Sequence, residues 1–181
     1  MAVKILGCEN DYLIPARIED AKPMLHAMRP GFYDDLRFFE KPVTLERQEK
    51  YLRRMTESEK DFLFCVMNNG LLIGTAGLHE CDFESGNARI GTLIFDPEIQ
   101  GRGHGAMAVQ LIVHQAFDKM GLSKVYVNVL TDFPTTHAYY EWLKFKRECR
   151  LDREYLLRGE LHDLLRLRIF AEEWRDIFET G

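Results

Sequence analysis

The sequence predicts an α/β chain in which a mostly antiparallel sheet is flanked by helices. Three observations predict it. Two apolar runs, residues 62–67 and 71–78, are separated by Asn68-Asn69-Gly70, and Asn and Gly both tolerate positive φ, so the pair marks a tight hairpin. Residues 90–120 read as a short apolar strand, a glycine-rich turn and an amphipathic helix. Val125, Val127 and Val129 then alternate, as Leu165, Leu167 and Ile169 do against Arg166 and Arg168, the period of strands with one buried face.

Taken in order, residues 1–10 read as an N-terminal extension with a short strand at 3–6. Residues 12–18 form a first strand, which Pro15 places at a sheet edge or bends. Glu19-Asp20 cap a helix with Ala21, Met24, Leu25 and Met28 on its buried face, ended by Pro30-Gly31. Residues 32–41 are aromatic and acidic. Thr44 caps a second helix that turns Leu45, Leu52 and Met55 inward. After the hairpin, a turn at 82–87 containing Ser85-Gly86 leads into a strand over 89–95, so three antiparallel strands run up to the glycine turn. Pro97 ends the last of them because it has no N–H for a ladder. Val109, Ile112, Val113, Ala116, Phe117 and Met120 recur at helical spacing, and Gly121 is placed to cap the helix. Beyond the valine strand, Pro134 opens a helix running through Leu143. Two strands near 148–157 and 162–170 are joined by Arg158-Gly159-Glu160, and the tail 171–181 packs through Trp174. We expect a single domain over 1–181.

Composition narrows the function classes. A chain of 181 residues with 46% hydrophobic content has material for a sizeable core. A net charge of −5 and a pI of about 5.7 argue against a general nucleic-acid or membrane-surface binder. Cys8, Cys65, Cys81 and Cys149 are scattered, with no Cys/His cluster for zinc, so we expect free thiols, a reducing compartment and no metal. The opening apolar run is too short for a signal peptide and no later run could span a membrane, so a cytoplasmic location is expected.

The chemistry of the glycine turn is anion binding. The first amides of a helix lack intrahelical partners and carry the positive end of its dipole, so a phosphate gains several hydrogen bonds there. Gly101, Gly103 and Gly105 let the backbone approach a ligand closely, and Arg102 adds a positive charge. No Lys-Ser/Thr pair follows, which excludes the Walker pattern, and the third glycine comes one residue early for G-x-G-x-x-G. The spacing is Gln100-x-x-Gly103-x-Gly105 after a strand ending in Asp96-Pro97. This segment resembles the coenzyme A pyrophosphate loop of the GNAT superfamily of N-acetyltransferases. The element order matches that fold along nearly the whole chain. In detail it is similar to the branch of ribosomal-protein N-terminal acetyltransferases and spermidine N-acetyltransferases. The matching motifs are residues 96–103, Tyr140 through Phe145, and Asp163 through Phe170. Phe133 stands where members commonly have an Asn that holds the pantetheine arm, and Lys144 stands where a glycine usually precedes the final Phe.

The resemblance implies a centrally splayed sheet and acetyl transfer from acetyl-CoA to a primary amine of a small molecule. The amine attacks directly in a ternary complex, without an acyl-enzyme. The alternatives are a protein N-terminal acetyltransferase or a non-catalytic acyl-CoA-binding regulatory domain. It implies that acetyl-CoA binds along Leu93, Ile94 and Phe95 and at Gln100, Gly101, Arg102, Gly103, His104, Gly105 and Ala106. The pantetheine arm then acts as a surrogate strand, and a backbone N–H binds the oxyanion. Tyr140 aligns with the family's general acid; Tyr139 falls one register off. Relatives often carry a Glu on the strand before the loop, where this chain has Ile90 and Gly91. Glu80 is then the candidate base, among Glu80, Asp82, Glu84 and His79 near the adjoining turn. The acceptor wall falls on Phe32, Tyr33, Asp34 and Asp35, acidic and aromatic groups that suit a cationic amine. A homodimer is left open.

Overall fold

The computed structural model describes residues 10–27, 43–95, 97–99 and 101–178. The expected N-terminal strand at 3–6, the end of the first helix at Met28 to Gly31, and the acceptor-wall residues Phe32, Tyr33, Asp34 and Asp35 lie outside them, as do Asp96 and Gln100. Seven strands form one sheet in the order β1-β2-β3-β4-β5-β7-β6. They are β1 (Asp11–Pro15), β2 (Phe62–Asn68), β3 (Leu71–Asp82), β4 (Asn87–Phe95), β5 (Lys124–Leu130), β6 (Lys146–Leu157) and β7 (Glu160–Phe170). All neighbours are antiparallel except β4 and β5, which run parallel. β1 is an edge strand, where Pro15 costs no ladder bond. Asn69 and Gly70 have φ 48° and 80°, the conformation a tight hairpin demands.

Among the described residues, five α-helices cover the two faces. On one side lie α1 (Ala21–Ala27) and α2 (Leu45–Glu57). The Thr44 hydroxyl accepts from the Arg47 amide, as its position before the helix predicts. Met24, Leu52 and Met55 pack on Leu63 and Cys65 of β2. Two expected inward residues differ: Leu45 is exposed and Leu25 only half-buried. Leu45 is the first residue of α2, one turn before the buried stripe of Gln48, Leu52 and Met55 begins, and in α1 Ala27 takes the inward position. On the other side lie α3 (His104–His114), α4 (Pro134–Trp142) and α5 (Ala171–Phe178). Val109, Ile112, Val113, Ala116 and Phe117 meet Ala76 and Leu78 of β3, Ile90 of β4 and the β5 valines in the main core. The alternation read along β5 is what delivers Val125, Val127 and Val129 to that core. α3 continues into a π turn over Gln115–Lys119, which the apolar spacing did not reveal, and Gly121 closes it at φ 70°.

Cys65 and Cys81 are free and buried, burial pushing their thiols up to about 12 and about 11, and Cys149 is free and exposed. Among the described residues no group of His, Cys, Asp or Glu could hold a metal, and no helix is long and apolar enough to cross a membrane.

The C-terminal tail forms α5, and Trp174 is buried in the main core as expected. Glu173 ties this helix down: it accepts from the Phe170 amide at 3.1 Å and from Lys146 Nζ at 2.7 Å, and it pairs with Arg168. Burial raises its pKa, but these donors outweigh it and hold the carboxyl at about 2, against an ordinary value of 4.5. A depressed pKa adds stability above the unfolded value, and this contribution is lost as pH falls through the folded one. Glu173→Gln should therefore lower stability at neutral pH and flatten its decline between pH 4.5 and about 2, measured by urea unfolding across that range. An unchanged acid limb would show that the cluster contributes nothing.

Candidate active site

β4 is the strand on which the site depends. It pairs with β3 along its length, from Asn87 opposite Asp82 to Phe95 opposite Gly74. It pairs with β5 only at Asn87, Ala88 and Arg89, opposite Lys124, Val125 and Tyr126. β5 meanwhile stays with β7 through Leu130. The two parallel strands therefore part after Arg89, giving the central splay that the resemblance implied. From Ile90 to Phe95 one edge of β4 has no partner strand among the described residues. Backbone N–H and C=O groups on such an edge need other partners.

The apex of the splay is clamped. Glu80 Oε1 accepts from Arg89 Nε at 3.1 Å and Nη2 at 2.8 Å, while Oε2 accepts from the Tyr126 hydroxyl at 3.4 Å. Arg89 and Tyr126 are the last paired residues of β4 and β5. The Arg166 guanidinium of β7 stacks 4.2 Å from the centre of the Tyr126 ring. Glu80 reaches this position from a bulge in β3, where its own φ is 54°. The hydrogen bond from Arg89 is the largest influence on the carboxyl and holds it below its ordinary range. A carboxylate so engaged is a weak proton acceptor, which weighs against the expectation that Glu80 is the base.

Both strands end at the open side of the splay, and each feeds a helix whose N-terminus sits there. β4 leads through the short turn Pro97–Ile99 to α3. Gly101 and Gly103 have φ 75° and 93°, the left-handed region. Gly103 is the N-cap residue of α3, offers no side chain, and accepts from the Met107 amide. The amides of His104, Gly105 and Ala106 precede that first helical bond, which leaves them for a ligand. Arg102 is exposed beside them. His104 is committed elsewhere: its Nδ1 lies 2.8 Å from Oδ2 of Asp11, whose side chain is fully buried. Asp11 also accepts from Asn68 Nδ2 at 2.6 Å. This contact fastens the first turn of α3 to β1, and nothing near Asp11 in the sequence marks it.

β5 leads to α4, with Phe133 as N-cap and Pro134 in the first turn. The Phe133 side chain packs against Leu130, Leu157 and Leu164, so it serves a local core and not a polar ligand contact. Tyr140 is buried between the rings of Tyr139 and Phe145, at 5.2 and 5.4 Å. Burial, and then Tyr139, push its phenol well above the ordinary range. Its hydroxyl has no hydrogen-bond partner among the described residues. Lys144 has φ 72°, the left-handed region that favours a glycine.

Comparison with known proteins agrees with this geometry. The model of the acetyltransferase (GNAT) domain matches residues 12–146. The spermidine N(1)-acetyltransferase of Vibrio cholerae is 27% identical over 103 residues, which span 57% of this chain and 59% of that protein. The structure of the Vibrio cholerae spermidine N-acetyltransferase in complex with CoA and spermine superposes with a TM-score of 0.75 at 22% identity, covering 91% of this chain and 98% of that one. A chimera of the same enzyme gives a TM-score of 0.76 at 21% identity, covering 92% and 98%. At that level of identity the structures establish a shared fold. The chain belongs to the GNAT acetyltransferase family.

Proposed function

We propose that the protein transfers the acetyl group of acetyl-CoA to a primary amine of a small molecule, by direct attack and without an acyl-enzyme. The observation that carries this is the edge of β4 from Ile90 to Phe95, unpaired among the described residues, which leads through a short turn to three open helix amides. The edge suits the two amides of a pantetheine arm, and the helix N-terminus suits the pyrophosphate. Leu93, Ile94 and Phe95 supply that edge, and Gly101 through Ala106 the cradle, with Gln100 in the same loop. A backbone N–H in the edge is placed to take the oxyanion as the amine adds to the thioester carbonyl. Tyr140 gives its proton to the departing thiolate; burial keeps the phenol protonated, the form a general acid needs. A polyamine-type acceptor is favoured by the Vibrio cholerae relatives, one of which was solved with CoA and spermine. Thiol release from acetyl-CoA with spermidine, spermine, simple diamines and a peptide bearing a free N-terminus tests the reading. Turnover with the polyamines is expected. Turnover with the peptide alone, or with none, would overturn it.

Binding should rest on main-chain donors. Gly103→Val forces a β-branched residue into a left-handed conformation and adds bulk where the pyrophosphate approaches, so it should weaken coenzyme A binding severely. Arg102→Ala should cost less. Titration calorimetry that ranks the two the other way would contradict the amide cradle.

Tyr140→Phe keeps the ring stack and removes only the donor. It should lower kcat about 100-fold or more, with the KM for acetyl-CoA nearly unchanged. A rate within about twofold of the parent would remove the acid role.

A further inference from the structure

The first turn of α3 has no capping side chain of its own, because Gly103 stands at the N-cap. A Ser, Thr or Asp there would steady the turn but occupy one of its amides. Glycine leaves those amides for a ligand, and Gly101 and Gly103 are the residue type with the most backbone freedom. Support for the turn reaches it from β1. His104 is the first residue of α3, and only 12% of its side chain is exposed. Its Nδ1 lies 2.8 Å from Oδ2 and 3.1 Å from Oδ1 of Asp11. Carboxyl oxygens accept, so the ring donates from Nδ1.

Asp11 is itself held in place. It stands opposite Asn68 in the β1–β2 register and accepts from Asn68 Nδ2 at 2.6 Å. Asn68 Oδ1 in turn accepts at 3.0 Å from Nδ2 of Asn69, in the turn of the β2–β3 hairpin. A row of side chains, Asn69, Asn68, Asp11 and His104, thus runs from that turn to the start of α3. β1 does not depend on His104 for its own placement, since it pairs with β2 from Asp11 to Pro15. The Asp11 side chain is fully buried, and a buried carboxyl is costly unless donors match its oxygens. One of those donors belongs to the residue whose backbone amide opens the cradle.

We infer that Asp11 is a positioning residue for coenzyme A, acting through His104 to fix the direction in which the amides of His104, Gly105 and Ala106 point; this rests on the acetyl-transfer reading above. Asp11 is fully buried, so it acts without touching the coenzyme. Several amides converge on one phosphate only when they share a fixed orientation. Without the Asp11 contact the helix still forms, because the Met107 amide bonds the Gly103 carbonyl whatever the His104 ring does. The turn would then have to be ordered each time the pyrophosphate arrives, and that cost weakens binding. The role falls on coenzyme A affinity and not on the proton steps, in which neither side chain takes part.

Titration calorimetry of coenzyme A with the parent, Asp11→Ala, His104→Ala and the double variant tests this. Each single change should weaken binding roughly tenfold, and the double change should do little more, because the two side chains act as one unit. His104→Ala stands on a helix, where alanine is favourable, so it keeps the test decisive if Asp11→Ala fails to fold. The Nδ2 of asparagine stands as many bonds from the backbone as the histidine Nδ1, so His104→Asn should recover most of the affinity. In turnover, the KM for acetyl-CoA should rise in the alanine variants while kcat and the acceptor KM hold. Backbone order parameters of residues 103–106 in the free protein should fall in both alanine variants and return in His104→Asn. Unchanged affinity in the single variants, losses that add in the double, unchanged order parameters, or a fall in kcat at constant KM overturns the positioning role. A parent that binds no coenzyme A overturns the acetyl-transfer reading itself, and the positioning role with it.

Discussion

The structure depends on a constraint at one point in the sheet: β4 and β5 are held together at Arg89 and Tyr126 and nowhere beyond. Glu80 makes that point firm by accepting from both residues at once. Below the clamp the chain is continuous sheet; the Gly86 carbonyl accepts from the Ser123 and Lys124 amides and sets the parallel register. Above it, β4 follows β3 and β5 follows β7, and the gap between them has the two helix N-termini at its mouth. Ligands of open α/β sheets bind outside the carboxyl ends of strands where the connectivity diverges, and this gap is such a place. An extended, amide-bearing molecule can complete the ladder there without disturbing either flank.

The same constraint sorts the nearby polar groups by role. Glu80 is exposed yet engaged on both oxygens, so its charge is spent on the clamp. His79, one residue earlier, is buried, with its Nδ1 facing the Asp61 carboxylate. The bulge in β3 makes the difference, because it turns two adjacent residues to different environments. Asp11 and His104 form a second fixed pair, which sets where the first turn of α3 stands relative to the edge of β4. Rigid supports of this kind are what a site needs when its donors are mostly backbone.

Much of this was legible in the sequence for identifiable reasons. Asn69-Gly70, Pro15, Thr44 and Pro134 each act through local backbone chemistry, so their positions fixed a hairpin, an edge strand and two helix starts. The strand, glycine turn and helix at 90–120 were legible because period and glycine spacing are both local. What the sequence hid was long-range or irregular. Asp11 and His104 are 93 positions apart, and nothing in either neighbourhood announces the other. His79 was read as a turn residue because the apolar run stops at Leu78, whereas β3 continues to Asp82 through its bulge. The π turn after His114 keeps the same residues on the buried face, so the spacing could not reveal it.

In the proposed complex the edge of β4 beyond Arg89 is completed by the pantetheine arm. Hydrogen exchange of the protein with and without coenzyme A tests it most directly. Slower exchange is expected at Gly91 through Phe95 and in the first turn of α3, with the β2–β3 hairpin unchanged. Protection in the first turn of α3 with none along β4 would contradict it.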